Sequence, residues 1–168
     1  MNYATIKNAD IANGYGVRVS LFVSGCDYHC KGCFNEQAWD YAYGEPFTQD
    51  VLNKLLDDID KPFIQGLSIL GGEPLSDKNV ISVIEIIDAF RQRFQTSKDL
   101  WIYTGGRFEE LMKQQYARVA IMKADVVVDG RFEIDKKDPM LLFKGSSNQR
   151  VIDVKQTIEK QKIIELVK

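Results

Sequence analysis

Cysteine and histidine are scarce in this chain, which contains three cysteines and one histidine in 168 residues. The cysteines all lie within one short segment, so the even, dispersed set typical of a secreted disulfide-bonded domain is missing. Because His29 is the only imidazole, Ser–His or Cys–His catalysis would have to begin inside the cysteine segment. These shortages exclude a disulfide scaffold and argue against a hydrolase.

An excess of charge of one sign is also missing, as are long apolar runs. Twenty-two basic residues against 24 acidic residues give a net charge of −2, which does not favour binding driven by nucleic-acid phosphates. No stretch is long enough to cross a bilayer, and the polar N-terminus does not resemble a secretory signal. We therefore expect a cytoplasmic protein with neither a nucleic-acid nor a membrane partner.

The length and the apolar content, 45% of residues, fit a single domain with its own hydrophobic core. We expect one domain over residues 1–168, with its core at about 15–150 and a tail, 151–168, of uncertain structure. The end of that tail, from Lys155 to Lys168, is ambiguous between helix and strand.

Short apolar strands alternate with amphipathic helices along the chain. The predicted strands are 17–23, 67–70, 100–103 and 125–128, and the predicted helices are one capped by Thr48, one capped by Ser76 or Asp77, and one over 108–115. This order indicates βαβ units and a parallel sheet. The chain is too short for a complete eight-unit barrel. We therefore predict an α/β fold with an incomplete, barrel-like parallel sheet and flanking helices.

Chemistry-bearing residues follow each predicted strand directly. Cys26, Gly71, Thr104 and Asp129 stand at or just beyond the four strand ends. Because active sites of such folds form at the carboxyl ends of parallel strands, we expect these four positions to meet on one rim.

The three cysteines, Cys26, Cys30 and Cys33, predict an iron–sulfur site. A 4Fe–4S cluster ordinarily takes four thiolates, and this chain has no fourth cysteine, so one iron would remain open for a ligand. Zinc is the structural alternative, because His29 completes a Cys3His set. However, structural zinc sites usually join two separated ligand pairs, so we interpret His29 as a loop residue.

The segment Cys26-Asp-Tyr-His-Cys30-Lys-Gly-Cys33-Phe34 resembles the CxxxCxxC signature of the radical S-adenosylmethionine superfamily. The resemblance implies that the open iron binds the amino and carboxylate groups of S-adenosylmethionine. One electron from the cluster then cleaves the cofactor to methionine and a 5′-deoxyadenosyl radical, which abstracts a hydrogen atom. The cofactor supplies this chemistry, while the protein orients it.

The same resemblance implies further cofactor-binding residues. Gly71-Gly72-Glu73-Pro74 is similar to the family's GGEP element, which contacts the amino group of S-adenosylmethionine, and glycines permit close backbone approach to a ligand. The complete predicted cofactor-binding set is Gly32, Cys33, Phe34, Gly71, Gly72, Glu73, Thr104 and Asp129.

Further segments resemble one subfamily, the activating proteins of anaerobic ribonucleoside-triphosphate reductase. They are residues 21–26, 101–105, 128–132 and 144–150. This resemblance implies an oxidoreductase that forms a glycyl radical on the large reductase subunit, with reduced flavodoxin or a similar protein as electron donor. In the last segment Lys144 replaces the subfamily's usual Arg. There Lys144, Gly145, Ser146, Ser147 and Asn148 are either partner-binding residues or a polar structural turn.

Two other functions stay open at this point. If the substrate is not this reductase, the chain is either an activator of another glycyl-radical enzyme or a small-molecule radical S-adenosylmethionine enzyme. In a different class, it is a non-catalytic iron–sulfur or zinc protein. Metal analysis separates the zinc version, and acceptance of a reductase as substrate separates the enzymes.

Overall fold

A computed structural model describes residues 1–167, so Lys168, the end of the predicted tail, lies outside the described residues. Within this described part of the chain, eight strands form one mixed sheet in the order β3-β1-β2-β4-β5-β6-β7-β8. The strands are β1 (Asn2–Asp10), β2 (Val17–Val23), β3 (Glu45–Pro46), β4 (Ile64–Gly71), β5 (Asp99–Tyr103), β6 (Val126–Asp129), β7 (Arg150–Asp153) and β8 (Glu165–Val167). The helices are α1 (Gln49–Ile59), α2 (Val80–Phe94), α3 (Phe108–Leu111), α4 (Gln115–Met122) and α5 (Val154–Lys160).

The four predicted strands form the centre of this sheet. Strands β2, β4, β5 and β6 are neighbours and run parallel, which confirms the predicted α/β fold with a parallel core. Antiparallel strands extend both sides, with β1 and β3 at one edge and β7 and β8 at the other. The sheet stays open, as an incomplete barrel does.

Apolar side chains of the central strands pack against the helices. On β2, Val19, Leu21 and Val23 are fully buried in this core, because alternate residues of a strand share a face. Thr48 caps α1, and its hydroxyl accepts a hydrogen bond from the Val51 N–H at 3.4 Å. Among residues 1–167, none of the helices is long and apolar enough to span a bilayer.

Two local predictions differ from the structure, and a third segment is one that the sequence leaves open between helix and strand. Helix α2 is preceded by Asn79, not capped by Ser76 or Asp77, because residues before it form a turn in which the Asn79 N–H donates to the Ser76 carbonyl. The helix predicted over 108–115 is the short α3, followed by a separate α4. The ambiguous tail contains both alternatives, with α5 followed by β8.

Candidate functional site

The four chemistry-bearing strand ends meet on one rim, as expected. Their loops are joined by backbone hydrogen bonds: the Gly72 N–H donates to the Val23 carbonyl at 2.7 Å, and the Thr104 N–H donates to the Val128 carbonyl at 2.9 Å. The order β2, β4, β5, β6 places the cysteine loop beside the glycine-rich loop, with the loops after β5 and β6 next to it. A cavity at this rim is lined by Cys26, Cys30, Cys33, Phe34, Gly71, Gly72, Glu73 and Thr104.

The cysteine loop is fixed by its backbone, and its three thiols are free and half-buried. The Gly25 N–H donates to the Ala38 carbonyl at 2.7 Å, and the Cys33 N–H donates to the Cys30 carbonyl at 3.1 Å. Burial raises the pKa of Cys26 and the pKa of Cys30 above the usual thiol value. Both therefore favour the neutral thiol until a metal stabilises the thiolate, so cluster binding releases protons.

The three cysteines line the rim cavity, and His29 does not line it. Among residues 1–167, no three Cys, His, Asp or Glu side chains converge on a point where one ion would bind them together. The His29 ring instead stacks on Trp39, with ring centroids 4.6 Å apart. Iron–sulfur clusters are held by cysteine thiolates, and all three cysteines line one cavity. The donor set therefore suits a 4Fe–4S cluster held by Cys26, Cys30 and Cys33.

Glu73 connects the glycine-rich loop to the loop after β5. Its carboxylate is buried and accepts three hydrogen bonds, from the Thr104 hydroxyl at 2.8 Å, the Gly105 N–H at 2.8 Å and the Leu75 N–H at 2.9 Å. Burial nevertheless raises the pKa of Glu73. Protein donors thus occupy both carboxylate oxygens, and Glu73 and Thr104 hold each other in position at the cavity wall.

Asp129 is also engaged within the protein. Its fully buried carboxylate accepts hydrogen bonds from the Phe108 N–H at 2.8 Å and from Arg150 Nε at 2.9 Å. Val128 and Gly130, its chain neighbours, line the cavity. The predicted cofactor-binding role of Asp129 therefore stays a prediction, while its observed contacts fix the start of α3 and the loop after β6. Gly32 lies in a neighbouring cavity.

The segment after Phe143 is held largely by its own polar groups. The Gln149 amide oxygen accepts from the Gly145 N–H at 2.8 Å, and its amide nitrogen donates to the Gly130 carbonyl at 2.9 Å. Asn148 donates to the Arg131 carbonyl at 2.8 Å, and the buried Ser146 hydroxyl accepts from the Glu133 N–H. These contacts support the structural interpretation of Ser146 and Asn148.

The other two side chains of that segment are placed differently. Lys144 lines the neighbouring cavity. Ser147 is exposed, and its N–H donates to the Lys136 carbonyl at 2.9 Å.

Sequence reasoning missed several aromatic residues of the site. The cavity walls include Tyr28, Trp39, Tyr103 and Phe132. Tyr28 packs directly on Gly105, where an added Cβ would lie 2.4 Å from the ring, and the Arg131 guanidinium lies 4.6 Å from its centroid. The sequence contains a positional signal for two of them, because Tyr28 lies between two cysteines and Tyr103 ends a predicted strand.

The ion pair between Arg150 and Glu109 predicts how acid changes the stability of the fold. Arg150 donates to both carboxylate oxygens of Glu109, at 3.0 and 2.8 Å, and lowers the pKa of Glu109 to about 2 from 4.5. Because the folded pKa is depressed, this contribution to stability is present above pH 4.5 and disappears as the pH falls towards 2. Glu109 is 54% exposed, so solvent screening limits the effect to about 1 kcal/mol.

We expect Glu109→Gln to lower the free energy of unfolding at pH 7 and to flatten its dependence on pH between 4.5 and 2. Denaturant titrations across this range measure both effects. The exposed Glu159→Gln on α5 is the control. Equal acid sensitivity of the Glu109 variant and the unmodified protein would contradict the assignment.

Comparisons with known proteins agree with this geometry. Residues 12–152 match a family described as a 4Fe–4S single cluster domain. A protein of Escherichia coli (strain K12) is 40% identical over 90% of this chain and 97% of its own length. A Pasteurella multocida protein is 38% identical over 89% and 95%, and one from Enterobacteria phage T4 is 36% identical over 90% and 93%. All three are named anaerobic ribonucleoside-triphosphate reductase-activating protein.

Proposed function

The chain belongs to the family of anaerobic ribonucleoside-triphosphate reductase-activating proteins, and from this premise we propose that it generates a glycyl radical on the large subunit of such a reductase. The observation that carries the proposal is the loop of three cysteines at the carboxyl end of β2, beside the glycine-rich loop after β4. With no fourth cysteine in the sequence, a 4Fe–4S cluster in this loop keeps one iron open for S-adenosylmethionine. Residues 1–168 then act as one catalytic domain.

Different residues of the rim would bind the cluster and the cofactor. When bound, the cluster and S-adenosylmethionine supply one-electron cleavage to a 5′-deoxyadenosyl radical that abstracts a hydrogen atom. Cys26, Cys30 and Cys33 would hold the cluster. Gly71 and Gly72 line the cavity where the cofactor would bind, and the Glu73–Thr104 hydrogen bond keeps that wall in place.

The partner completes the site in this proposal. Phe34, directly after the last cysteine, is 83% exposed, so the rim on this side faces solvent. A radical intermediate must be shielded from water, and a large protein substrate covers such a rim when it docks. Reduced flavodoxin or a similar protein supplies the electron.

Anaerobic reconstitution tests the function. The protein is loaded with iron and sulfide, reduced with dithionite, and mixed with S-adenosylmethionine and the reductase large subunit. We expect 5′-deoxyadenosine formation together with a glycyl radical signal in the electron paramagnetic resonance spectrum of the reductase. The same mixture with cluster-free protein is the control.

Two outcomes contradict the proposal in different ways. Cleavage of S-adenosylmethionine without any radical on the reductase would move the chain to another substrate of the superfamily. No cleavage by the fully loaded protein, with or without the reductase, would leave a non-catalytic iron–sulfur protein.

A further inference from the structure

A hairpin-like excursion projects from the rim between β6 and β7. Residues 137 and 146 pair as an isolated antiparallel bridge, and the Asp138 N–H donates to the Gly145 carbonyl at 3.4 Å. We refer to residues 137–146 as the rim hairpin. Its tip is a defined turn, because the Met140 N–H donates to the Asp138 carboxylate at 2.8 Å. The rim hairpin therefore has a fixed shape rather than the form of a loose connection.

The tip of the rim hairpin is apolar and exposed. Met140 is 84% exposed and Leu142 is 55% exposed, and Phe34, which lines the cavity beside the rim hairpin, is 83% exposed. Single exposed apolar residues are ordinary, but several on one surface beside a site indicate a binding surface. Loops positioned on a rigid scaffold commonly carry such surfaces.

An aromatic anchor fixes the rim hairpin from below. Phe143 packs edge-on against Tyr15 and Trp101, with centroid distances of 4.7 and 5.2 Å. Phe143 also adopts a φ of +62°, a conformation that costs free energy for a bulky residue. These aromatic contacts fix the backbone directly beside the exposed Leu142.

The rim hairpin also borders the catalytic rim. A cavity of about 350 Å³ is lined on one side by Cys33, Phe34 and Tyr103, and on the other by Pro139 and Leu141 of the rim hairpin. A molecule that reaches the cysteine loop through this cavity passes along the rim hairpin. The exposed Met140 and Leu142 alternate along the chain with Pro139 and Leu141, so the tip lies directly beside the cavity lining.

We propose that the tip of the rim hairpin, Met140 and Leu142, together with Phe34, is the docking surface for the large subunit of the reductase. This inference rests on the proposed function, in which the substrate is a protein. A small substrate would fill the cavity without touching the exposed tip, whereas a protein whose target residue enters the cavity must lie against its border. A second copy of this chain on the same surface would close the entrance to that substrate.

Charged side chains also border the cavity. Lys137, Lys144 and the acidic Asp138 all line it, so basic side chains outnumber acidic ones at the entrance. The apolar tip supplies the desolvated contact that dominates interface energetics.

The double variant Met140→Glu/Leu142→Glu tests the surface. Both side chains are exposed, so we expect unchanged iron loading and unchanged 5′-deoxyadenosine formation with dithionite alone. We expect the affinity for the reductase large subunit to fall at least about tenfold, as for loss of anchor residues at an interface, and the yield of glycyl radical to fall with it. Phe63→Glu is the matched control, because Phe63 is 63% exposed but lies at the amino end of β4.

The outcomes separate this inference from the function on which it rests. If the unmodified protein activates the reductase and the double variant does so with equal affinity, the docking surface lies elsewhere. If the double variant also loses cleavage without the reductase, the rim hairpin supports the cofactor site instead. If it changes the oligomeric state but not the affinity for the reductase, a second copy occupies the surface. If the unmodified protein cleaves S-adenosylmethionine but never binds the reductase, both the function and the docking proposal fail.

Discussion

Alanine at any one of the three cysteines is expected to abolish cleavage of S-adenosylmethionine and to remove most of the bound iron. The set of Cys26, Cys30 and Cys33 is already one thiolate short of the ordinary four, and the sequence contains no cysteine that can replace a lost ligand. The loss should therefore be close to complete in each variant. Iron and sulfide content, the spectrum of the reduced cluster and 5′-deoxyadenosine formation measure it.

His29→Ala is the matched control for the cysteine variants. His29 lies in the same loop, and its ring stacks on Trp39. We expect this variant to keep its iron and at least half of its cleavage rate. Loss of metal in the His29 variant, with zinc rather than iron in the unmodified protein, would favour the Cys3His alternative. Full cleavage in any cysteine variant would disprove the cluster assignment.

The centre of the fold was predictable because its strands carry strong patterns. Strand β2 alternates regularly, and its predicted bounds equal the observed ones. The edge strands carry weaker patterns. Strand β1 pairs with β2 through two register shifts. Most of its residues are partly or fully exposed, so it has no buried face that would require a regular alternation of apolar residues. Strand β8 has three residues on the outer edge, too few for a period to be recognised.

The location of the site was predictable, but the contacts of its polar residues were not. A motif and its neighbouring strand place the cysteines and Gly71-Gly72 on the rim. The partners of Glu73 and Asp129 come from segments 31 and 21 residues away in the chain. One sequence contains no local signal for such pairs. Both carboxylates hold loops together in the structure, and their role in cofactor binding stays a prediction.

The same long-range packing changes the interpretation of Gly72. Sequence reasoning assigned its small size to close approach of the cofactor. In the structure, a Cβ at Gly72 would lie 2.4 Å from the Gly25 carbonyl oxygen and 3.0 Å from the Ala38 carbonyl oxygen. Both oxygens belong to backbone that supports the cysteine loop, where Gly25 N–H donates to Ala38. Backbone carbonyls cannot rotate away as side chains do.

Gly72→Ala is therefore expected to displace the cysteine loop, to lower the free energy of unfolding by about 3 kcal/mol, and to reduce iron content and cofactor cleavage together. Thermal unfolding of the apoprotein and iron analysis after reconstitution measure these effects. Gly145→Ala adds the same atom where the nearest neighbour is the Phe132 side chain at 3.2 Å, and we expect it to keep its iron. If Gly72→Ala keeps its stability and iron but binds S-adenosylmethionine weakly, Gly72 serves cofactor access alone, as the sequence first suggested.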